Sequence, residues 1–307
     1  MGADKGEWVK GVAHWRDGET AYVSVAFTWR LPEARKLADY YRAIGINRVV
    51  VGGPGTFTQK KFCAEFADEV GGSISDAIAR HNPMATRASY GCPVGCWFCI
   101  VPKMDGKAFT FLDDFPVRPV LCDDNLSALP SDYQQFIVDR YLKAGVPLLD
   151  ANSGFEPATF DDEVFARWRP VLKGPWRFGF DEATEGESVA RAFRILKDVS
   201  PRRKQVYTMI GHEPFDVCMD RIQKVIASGG EPYAQPFIKL NALVKEPAIR
   251  HDWTAQRLRH VQRWVNRHLW RKVRFEDYDA SAKTSRNATR LHATRPALAQ
   301  EGGRSDG

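Results

Sequence analysis

From residue 85 onward, short apolar runs typical of β-strands alternate with stretches that have the periodicity of helices. The predicted strands lie at residues 86–89, 119–122, 147–150, 176–180, 205–210 and 233–238. The predicted helices lie at residues 133–144, 161–168, 187–199 and 215–227. Strands that are each followed by a helix pair in parallel, with the helices packed on the sheet. The alternation therefore predicts an α/β fold built on a parallel βα barrel or half-barrel.

A separate strand–helix–strand pattern precedes these elements. Residues 21–27 are predicted to form a buried strand, residues 31–44 an amphipathic helix, and residues 47–51 a second strand. This pattern predicts a short Rossmann-like βαβ unit. The second strand ends in Gly52-Gly53-Pro54-Gly55, and glycines at this position allow a backbone to approach a ligand closely. The same four residues are also typical of a simple turn.

Three of the six cysteines lie in one eight-residue loop, at Cys92, Cys96 and Cys99. Four thiolates would saturate a four-iron, four-sulfur cluster, whereas three leave one iron open to a ligand that is not protein. A structural zinc site usually has two separated pairs of ligands, and no second pair occurs in the sequence. We therefore predict a [4Fe–4S] cluster on these three cysteines, with zinc or structural thiols as the alternatives. The other cysteines stand alone, which favours buried thiols over a second cluster.

The CxxxCxxC spacing, with Phe98 directly before the last cysteine, resembles the cluster loop of the radical S-adenosylmethionine (radical SAM) superfamily. The resemblance implies a partial (βα)6 barrel, which agrees with the six predicted strands. It also implies that S-adenosylmethionine (SAM) binds the open iron and is cleaved to a 5′-deoxyadenosyl radical that abstracts hydrogen from a substrate. A low-potential electron donor of the flavodoxin or ferredoxin type is the implied partner.

Four further segments resemble a group of bacterial and phage-type radical SAM Fe–S oxidoreductases. These segments are residues 80–86, 121–125, 177–182 and 239–241. The N-terminal βαβ unit is similar to the opening of the cobalamin-binding Rossmann domain that precedes some radical SAM barrels. Because the DxHxxG motif that supplies the cobalt ligand is absent, the resemblance implies a degenerate unit without cobalamin.

Polar residues follow the predicted barrel strands, at the ends where parallel barrels place their chemistry. By the resemblance, residues at these positions contact SAM together with the aromatic residue of the cluster loop. The predicted SAM-binding residues are Phe98, Asp124, Asn125, Asn152, Asp181, Glu182 and Gly211. For the acidic residues, the alternative is a solvated loop. His212 is equally compatible with a site role and a structural role.

The positive excess behind the net charge of +6 lies in residues 245–307. A basic amphipathic helix is predicted over residues 251–278, with arginines at every fourth position of one face: Arg259, Arg263, Arg267 and Arg271. Like charges at this spacing repel each other unless an anionic partner or an acidic neighbour faces them. A nucleic acid is therefore one predicted partner of this arginine ridge, and pairing with the chain's own acids is the alternative.

The predicted organisation is a βαβ unit at residues 1–80, a radical SAM partial barrel at 81–250, the basic helix at 251–278 and a disordered tail at 279–307. No export signal and no long apolar run occurs, which predicts a cytoplasmic protein that is not in a membrane. The lead candidate for the substrate of hydrogen abstraction is a nucleobase or nucleotide-linked group. A small metabolite or peptide is the alternative substrate, and a non-catalytic, metal-stapled nucleic-acid-binding protein is the alternative class.

Overall fold

The computed structural model describes residues 4–72 and 77–281. Two groups of parallel strands with helices packed against them make up this part of the chain, which is an α/β fold. The predicted tail lies outside the described residues from residue 282 onward. In the two described ranges, no helix has the length and apolar character needed to span a lipid bilayer.

The N-terminal unit contains β1 (Val12–Asp17), β2 (Thr20–Val25), α1 (Leu31–Ala43), β3 (Arg48–Gly52), α2 (Lys60–Ala64) and β4 (Glu69–Val70). β2 and β3 pair in parallel across α1, and β4 adds a further parallel partner to β3. The antiparallel pairing of β1 with β2 is an addition to the predicted pattern. Residues of β2 and one face of α1 are buried together and form the core of this unit: Ala21, Val23, Val25, Leu31, Ala34 and Ala38.

The elements that follow are α3 (Ala77–His81), β5 (Ala85–Thr86), β6 (Ser89–Tyr90), α4 (Val101–Met104), β7 (Thr110–Phe111), β8 (Val120–Leu121), α5 (Ser131–Ala144), β9 (Asp150–Ala151), α6 (Asp162–Trp168), β10 (Trp176–Gly179), α7 (Gly186–Ile195), β11 (Lys204–Ile210), α8 (Phe215–Ala227) and β12 (Glu231–Pro236). β5, β8 and β9 form one parallel sheet, and β10, β11 and β12 form another. A parallel bridge between Phe155 and Phe178 connects the two sheets. Six parallel strands thus lie side by side in chain order, and within the described residues no pairing of β5 with β12 closes a barrel.

Aromatic packing holds these strands against their helices. Phe155, Phe160, Trp168 and Trp176 are buried in one core, where Phe155 meets Trp168 edge to face with ring centroids 5.8 Å apart. α6 begins where the carboxylate of Asp161 accepts a hydrogen bond from the third N–H that follows it, at 2.8 Å. This packed core fixes the positions of the strands from which the loops at their carboxyl ends begin.

The C-terminal helix is shorter than the predicted span of residues 251–278. This helix, α9 (Ala255–Asn266), ends before His268, whose φ of 54° turns the backbone into a single 3-10 turn at Leu269–Arg271. Its apolar face is buried against α8 and β12, and Trp264 is 1% exposed. Arg271 therefore lies beyond the helix, so the four arginines do not form one continuous helical ridge.

Candidate functional site

The cysteine loop connects β6 to α4, just beyond the carboxyl end of β5. Cys92, Cys96 and Cys99 all carry free, partly buried thiols. The main-chain N–H of Cys99 donates to the carbonyl oxygen of Cys96 at 3.1 Å, and that of Cys92 donates to the carbonyl oxygen of Gly106 at 3.2 Å. These bonds fold the segment into a compact loop.

Two aspartates that follow β8 hold the beginning of the cysteine loop. Asp123 is fully buried and accepts a hydrogen bond from the main-chain N–H of Ala88 at 2.7 Å. Asp124 accepts one from the N–H of Gly91 at 2.8 Å and forms an ion pair with Arg87. Burial raises the pKa of both carboxyls to about 6. Asp124, a predicted SAM contact, is therefore engaged by the loop that carries the cysteines.

Asn125 brings a side-chain amide to the first of the three thiols. Its Nδ2 lies 3.5 Å from Sγ of Cys92, and its Oδ1 accepts a hydrogen bond from the N–H of Ala128 at 3.2 Å. The second bond fixes which end of the amide faces the sulfur. Donors of this kind orient metal ligands and adjust their basicity.

The donor set of the loop fits the predicted cluster in residue type and spacing. Burial raises the pKa of Cys96 to about 12, and the neighbouring Cys99 adds to that rise. Thiols in such surroundings lose their protons when a metal cation compensates the charge. Among residues 4–72 and 77–281, no three His, Cys, Asp or Glu side chains are gathered as a ready metal-binding group. Loading a cluster would thus require the three side chains to converge.

Carboxylates from two neighbouring strand ends lie near the cysteine loop. Glu156 follows β9, and Asp181, Glu182 and Glu185 follow β10. Besides burial and the neighbouring Cys99, the charges of Glu156 and Glu185 raise the pKa of the Cys96 thiol. These two carboxylates favour a positively charged group over an anion near Cys96.

Trp97 ties the middle of the cysteine loop to two strand ends. Its indole N–H donates to Oε1 of Glu182 at 2.6 Å. Its ring packs on that of Phe237, directly after β12, with centroids 5.0 Å apart. Glu182, a predicted SAM contact, thus has a partner within the protein.

A double-mutant cycle on Trp97→Phe and Glu182→Gln is expected to give a coupling free energy of about 1 kcal/mol in urea unfolding. A hydrogen bond to a carboxylate is stronger than a neutral one, but Trp97 is 45% exposed, so water weakens it. Strictly additive single and double variants would contradict the contact. The same cycle with Tyr40→Phe in place of Trp97→Phe serves as the control, because Tyr40 lies on α1.

Asp181 is partly buried and lines a cavity. Its Oδ1 accepts a hydrogen bond from the N–H of Met209 at 2.8 Å. Burial, followed by the charge of Glu185, raises the pKa of the Asp181 carboxyl to about 7. At neutral pH this group changes between its protonated and ionised forms.

The raised pKa of Asp181 makes the stability of the protein depend on pH. The folded state holds this proton more tightly than the unfolded chain does, so its stabilising contribution is complete below about pH 4. That contribution is lost as the pH rises through about 7. Between about pH 4 and pH 7, we expect the free energy of unfolding of Asp181→Asn to fall by about 2 kcal/mol less than that of the unmodified protein. This value allows for screening by the solvent that reaches the carboxyl. Urea unfolding of both proteins at several pH values measures the difference, and equal slopes would refute the assignment.

Asn152 and Gly211 have structural partners in the fold. Oδ1 of Asn152 accepts a hydrogen bond from Arg177 at 3.3 Å, and Arg177 also pairs with Asp150 at 2.7 Å. A Cβ atom at Gly211 would lie 2.8 Å from Cδ1 of Leu258, so glycine here lets α9 pack against the end of β11. The contact of both residues with SAM stays a prediction.

His212 is buried beside the cysteine loop. Its ring centroid lies 5.9 Å from that of Trp97, and its Nε2 lies 3.7 Å from a carboxylate oxygen of Glu213. Burial, followed by the charge of Arg221, lowers the pKa of this imidazole. His212 is therefore expected to be neutral where it packs against Trp97.

A cavity of about 320 Å³ lies next to the cysteine loop. Its walls come from the ends of β2 and β3, from the loop itself, and from β11, β12 and the segment that follows β12. Phe98 and Ile100 contribute the wall nearest the cysteines, and Asp181 contributes a carboxyl. The Thr58 hydroxyl donates to the carbonyl oxygen of Leu240 at 2.9 Å, which joins the N-terminal unit to the segment after β12. The cavity is thus formed jointly by both parts of the fold.

Several residues of the site were not identified from the sequence: Arg87, Trp97 and Glu185. Glu185 accepts hydrogen bonds from the N–H groups of Asp181 at 2.6 Å and Glu182 at 3.1 Å. An acidic residue three positions after a strand-end acid is a helix-start signal, which would have pointed to Glu185. Arg87 and Trp97 have partners far along the chain and leave no such local signal.

Comparison with known proteins gives a likeness of fold. No protein-family model matches the chain, and no curated protein matches it by sequence. A solved structure of the radical S-adenosylmethionine methyltransferase TsrM from Kitasatospora setae, with cobalamin and a [4Fe–4S] cluster bound, matches with a TM-score of 0.50 and 13% identity over 72% of this chain and 64% of that one. A second TsrM structure, with tryptophan substrate and the SAM analogue aza-SAM bound, matches with a TM-score of 0.51 and 13% identity over 72% of this chain and 62% of that one. The chain thus spans less than two thirds of the length of these structures and shares with them an α/β fold.

Proposed function

We propose that this chain is a radical SAM enzyme in which Cys92, Cys96 and Cys99 bind a [4Fe–4S] cluster and SAM occupies its remaining iron. The proposal is carried by three free, half-buried thiols in one loop at the carboxyl end of the first of six parallel strands. Parallel βα barrels place their chemistry at this end. The six strands would form the partial (βα)6 barrel, and the likeness of fold to a methyltransferase with a bound cluster and SAM analogue supports the assignment.

When bound, the cluster supplies the electron that cleaves SAM to methionine and a 5′-deoxyadenosyl radical, which takes a hydrogen atom from the substrate. The chain's own residues position the loop for this. Asp124 and Arg87 brace its beginning, and the contact of Trp97 with Glu182 secures its middle. The amide of Asn125 is directed at the sulfur of Cys92.

The acidic residues beside the loop suit the charge of SAM. Its sulfonium and ammonium groups are positive, and the negative charges of Glu156 and Glu185 act on the thiol of Cys96. Opposite charges attract strongly where water is partly excluded. We assign the carboxyls of Glu156 and Glu185 to SAM in addition to the predicted contacts other than Asp181, which faces the cavity. A flavodoxin- or ferredoxin-type protein is kept as the proposed electron donor.

Anaerobic reconstitution tests the proposal. The purified chain is loaded with iron and sulfide, reduced with dithionite and incubated with SAM, and 5′-deoxyadenosine is measured by chromatography. Its formation is expected. A fully loaded protein that makes none would favour the non-catalytic, metal-stapled nucleic-acid-binding protein.

The arginines near the C-terminus bear on the choice of substrate. Arg271 forms an ion pair with Glu231, and Arg263 donates to the carbonyl oxygen of Ala280 at 3.2 Å. Arg259 is exposed on α9, and Arg267 is exposed directly after its last residue. Two of the four arginines thus have partners within the chain. The arginines therefore support a nucleotide-linked substrate less strongly in the structure than they do in the sequence. A small metabolite is therefore the second candidate for the substrate.

Nucleic-acid binding by α9 has its own test. If the ridge follows phosphates, the logarithm of affinity for a short single-stranded RNA falls with the logarithm of salt concentration, by about 0.7 per neutralised phosphate. The variant Arg259→Gln with Arg267→Gln is then expected to reduce that slope by about 1.4. A slope near zero in the unmodified chain would remove nucleic acid from the proposed partners.

A further inference from the structure

Aromatic rings dominate the cavity beside the cysteine loop. Phe27 and Trp29, which follow β2, stack with centroids 4.7 Å apart and an angle of 5° between their planes. Phe27 is 48% exposed, so this stacked pair is not fully covered by the protein. Three further rings line the cavity: Phe98, Tyr207 and Phe237. Such walls favour a flat ligand that can stack on one ring and meet the edges of others.

Few charged groups line this cavity, and they differ in how far they are exposed to water. Among the described lining residues, Asp181 carries the one carboxyl and Lys239 the one ammonium. Lys239 is exposed, and its flexible stem allows the ammonium to remain in water. Asp181 is partly buried, and its Oδ1 already accepts a hydrogen bond from the N–H of Met209. The second carboxyl oxygen is therefore the acceptor available to a ligand.

The size and charge of the cavity limit what it can bind. Its volume of about 320 Å³ is at the lower end of the range for sites that hold small molecules. No arginine is among the described lining residues and Lys239 is the one lysine there, whereas phosphate groups are usually held by several arginine, lysine or helix amide donors. A strand of nucleic acid or a nucleotide phosphate is thus a poor match for these walls.

We propose that this cavity binds a small planar aromatic molecule that carries an amine or similar donor directed at Asp181, and that this molecule is the substrate. The inference rests on the proposed function and names its substrate class. Phe98 lies between Cys96 and Cys99 in the sequence, and its side chain is part of the cavity wall. A ligand in the cavity is therefore adjacent to the cysteine loop. The N-terminal unit contributes Phe27 and Trp29 to the same lining and thereby takes part in substrate binding.

A matched pair of probes tests this inference by calorimetry on the full chain, without and with a reconstituted cluster. The probes 1-naphthylmethylamine and 1-naphthylacetate share one ring system and differ in charge. The amine is expected to bind at least about tenfold more tightly, and cyclohexylmethylamine, which is not aromatic, more weakly than the naphthyl amine. Phe27→Ala is expected to weaken the amine about two- to tenfold. Asp181→Asn should abolish the preference for the amine, and Tyr40→Ala on α1 should change nothing.

The outcomes separate this inference from the proposed function, because probe binding does not require SAM cleavage. Equal affinity for the two naphthyl probes, or no effect of Phe27→Ala, would overturn the inference even if 5′-deoxyadenosine is formed. Displacement of the amine by S-adenosylhomocysteine would assign the cavity to SAM and overturn it as well. If the probes bind as expected but the protein never cleaves SAM, the binding site is retained. Only the radical SAM assignment is then rejected.

Discussion

Alanine in place of Cys92, Cys96 or Cys99 is expected to remove the iron–sulfur cluster and, with it, SAM cleavage. Each residue supplies one of three thiolates, and two thiolates leave two irons of a cube without protein ligands. We expect iron and sulfide contents near background and a loss of 5′-deoxyadenosine of about 100-fold or more. Iron and sulfide assays, the visible absorption spectrum and electron paramagnetic resonance after dithionite reduction measure the first effect. Chromatography of the reaction measures the second.

Cys63→Ala is the matched control for these variants. Cys63 is fully buried in the core of the N-terminal unit, and burial raises the pKa of its thiol to about 11, so it stays protonated and unreactive. This variant should keep its full iron content and its activity. A Cys96→Ala protein with unchanged iron, or stoichiometric zinc in anaerobically purified protein, would reject the assignment of the loop.

The order of the main strands and helices could be predicted because buried apolar runs mark them locally. The predicted strand at residues 205–210 and the predicted helix at 215–227 agree closely with β11 and α8. β1 is different, because charged and exposed residues interrupt its alternation and its stability comes from pairing with β2. β6 and β7 have two residues each, which is too short for a periodic pattern.

The C-terminal helix shows how a correct pattern can give a wrong length. Apolar residues at helical spacing continue through Leu269 and Val273, and both are buried. The backbone nevertheless leaves the helix at His268 and follows a 3-10 turn. Trp264 donates its indole N–H to the carbonyl oxygen of Val273 at 2.8 Å across this turn. Burial thus persists after the helix ends, so the apolar pattern alone did not mark the boundary.

In the candidate site, too, some residues could be predicted from the sequence and others could not. The cysteine spacing is local and could be identified from the sequence, and the strand-end acids follow from the predicted topology. The supports of the loop depend on pairs that are distant in the chain, such as Arg87 with Asp124 and Trp97 with Glu182. A single sequence contains no signal for such pairs, since each residue alone is compatible with many environments.

Gly91→Ala is expected to be among the most damaging substitutions in the cysteine loop. Gly91 directly precedes Cys92 and has a φ of +96°, which costs a residue with a side chain about 1–2 kcal/mol. A Cβ atom there would also collide with the main-chain carbonyl oxygen of Ala108, which no side-chain rotation can relieve. Moving the loop start would break the hydrogen bond from Gly91 to Asp124. We therefore expect a total loss of about 3 kcal/mol or more in the free energy of unfolding, together with poor iron loading.

Gly106→Ala separates backbone strain from collision. Gly106 has a φ of +85°, close to that of Gly91, but a Cβ atom there would meet nothing within 4 Å. Its substitution should therefore cost only the strain of about 1–2 kcal/mol and leave iron loading intact, because the hydrogen bond to Cys92 uses its carbonyl group. Urea unfolding and iron content of both variants measure the contrast. Equal losses in the two proteins would mean that the close approach of Gly91 to Ala108 does not position the cysteine loop.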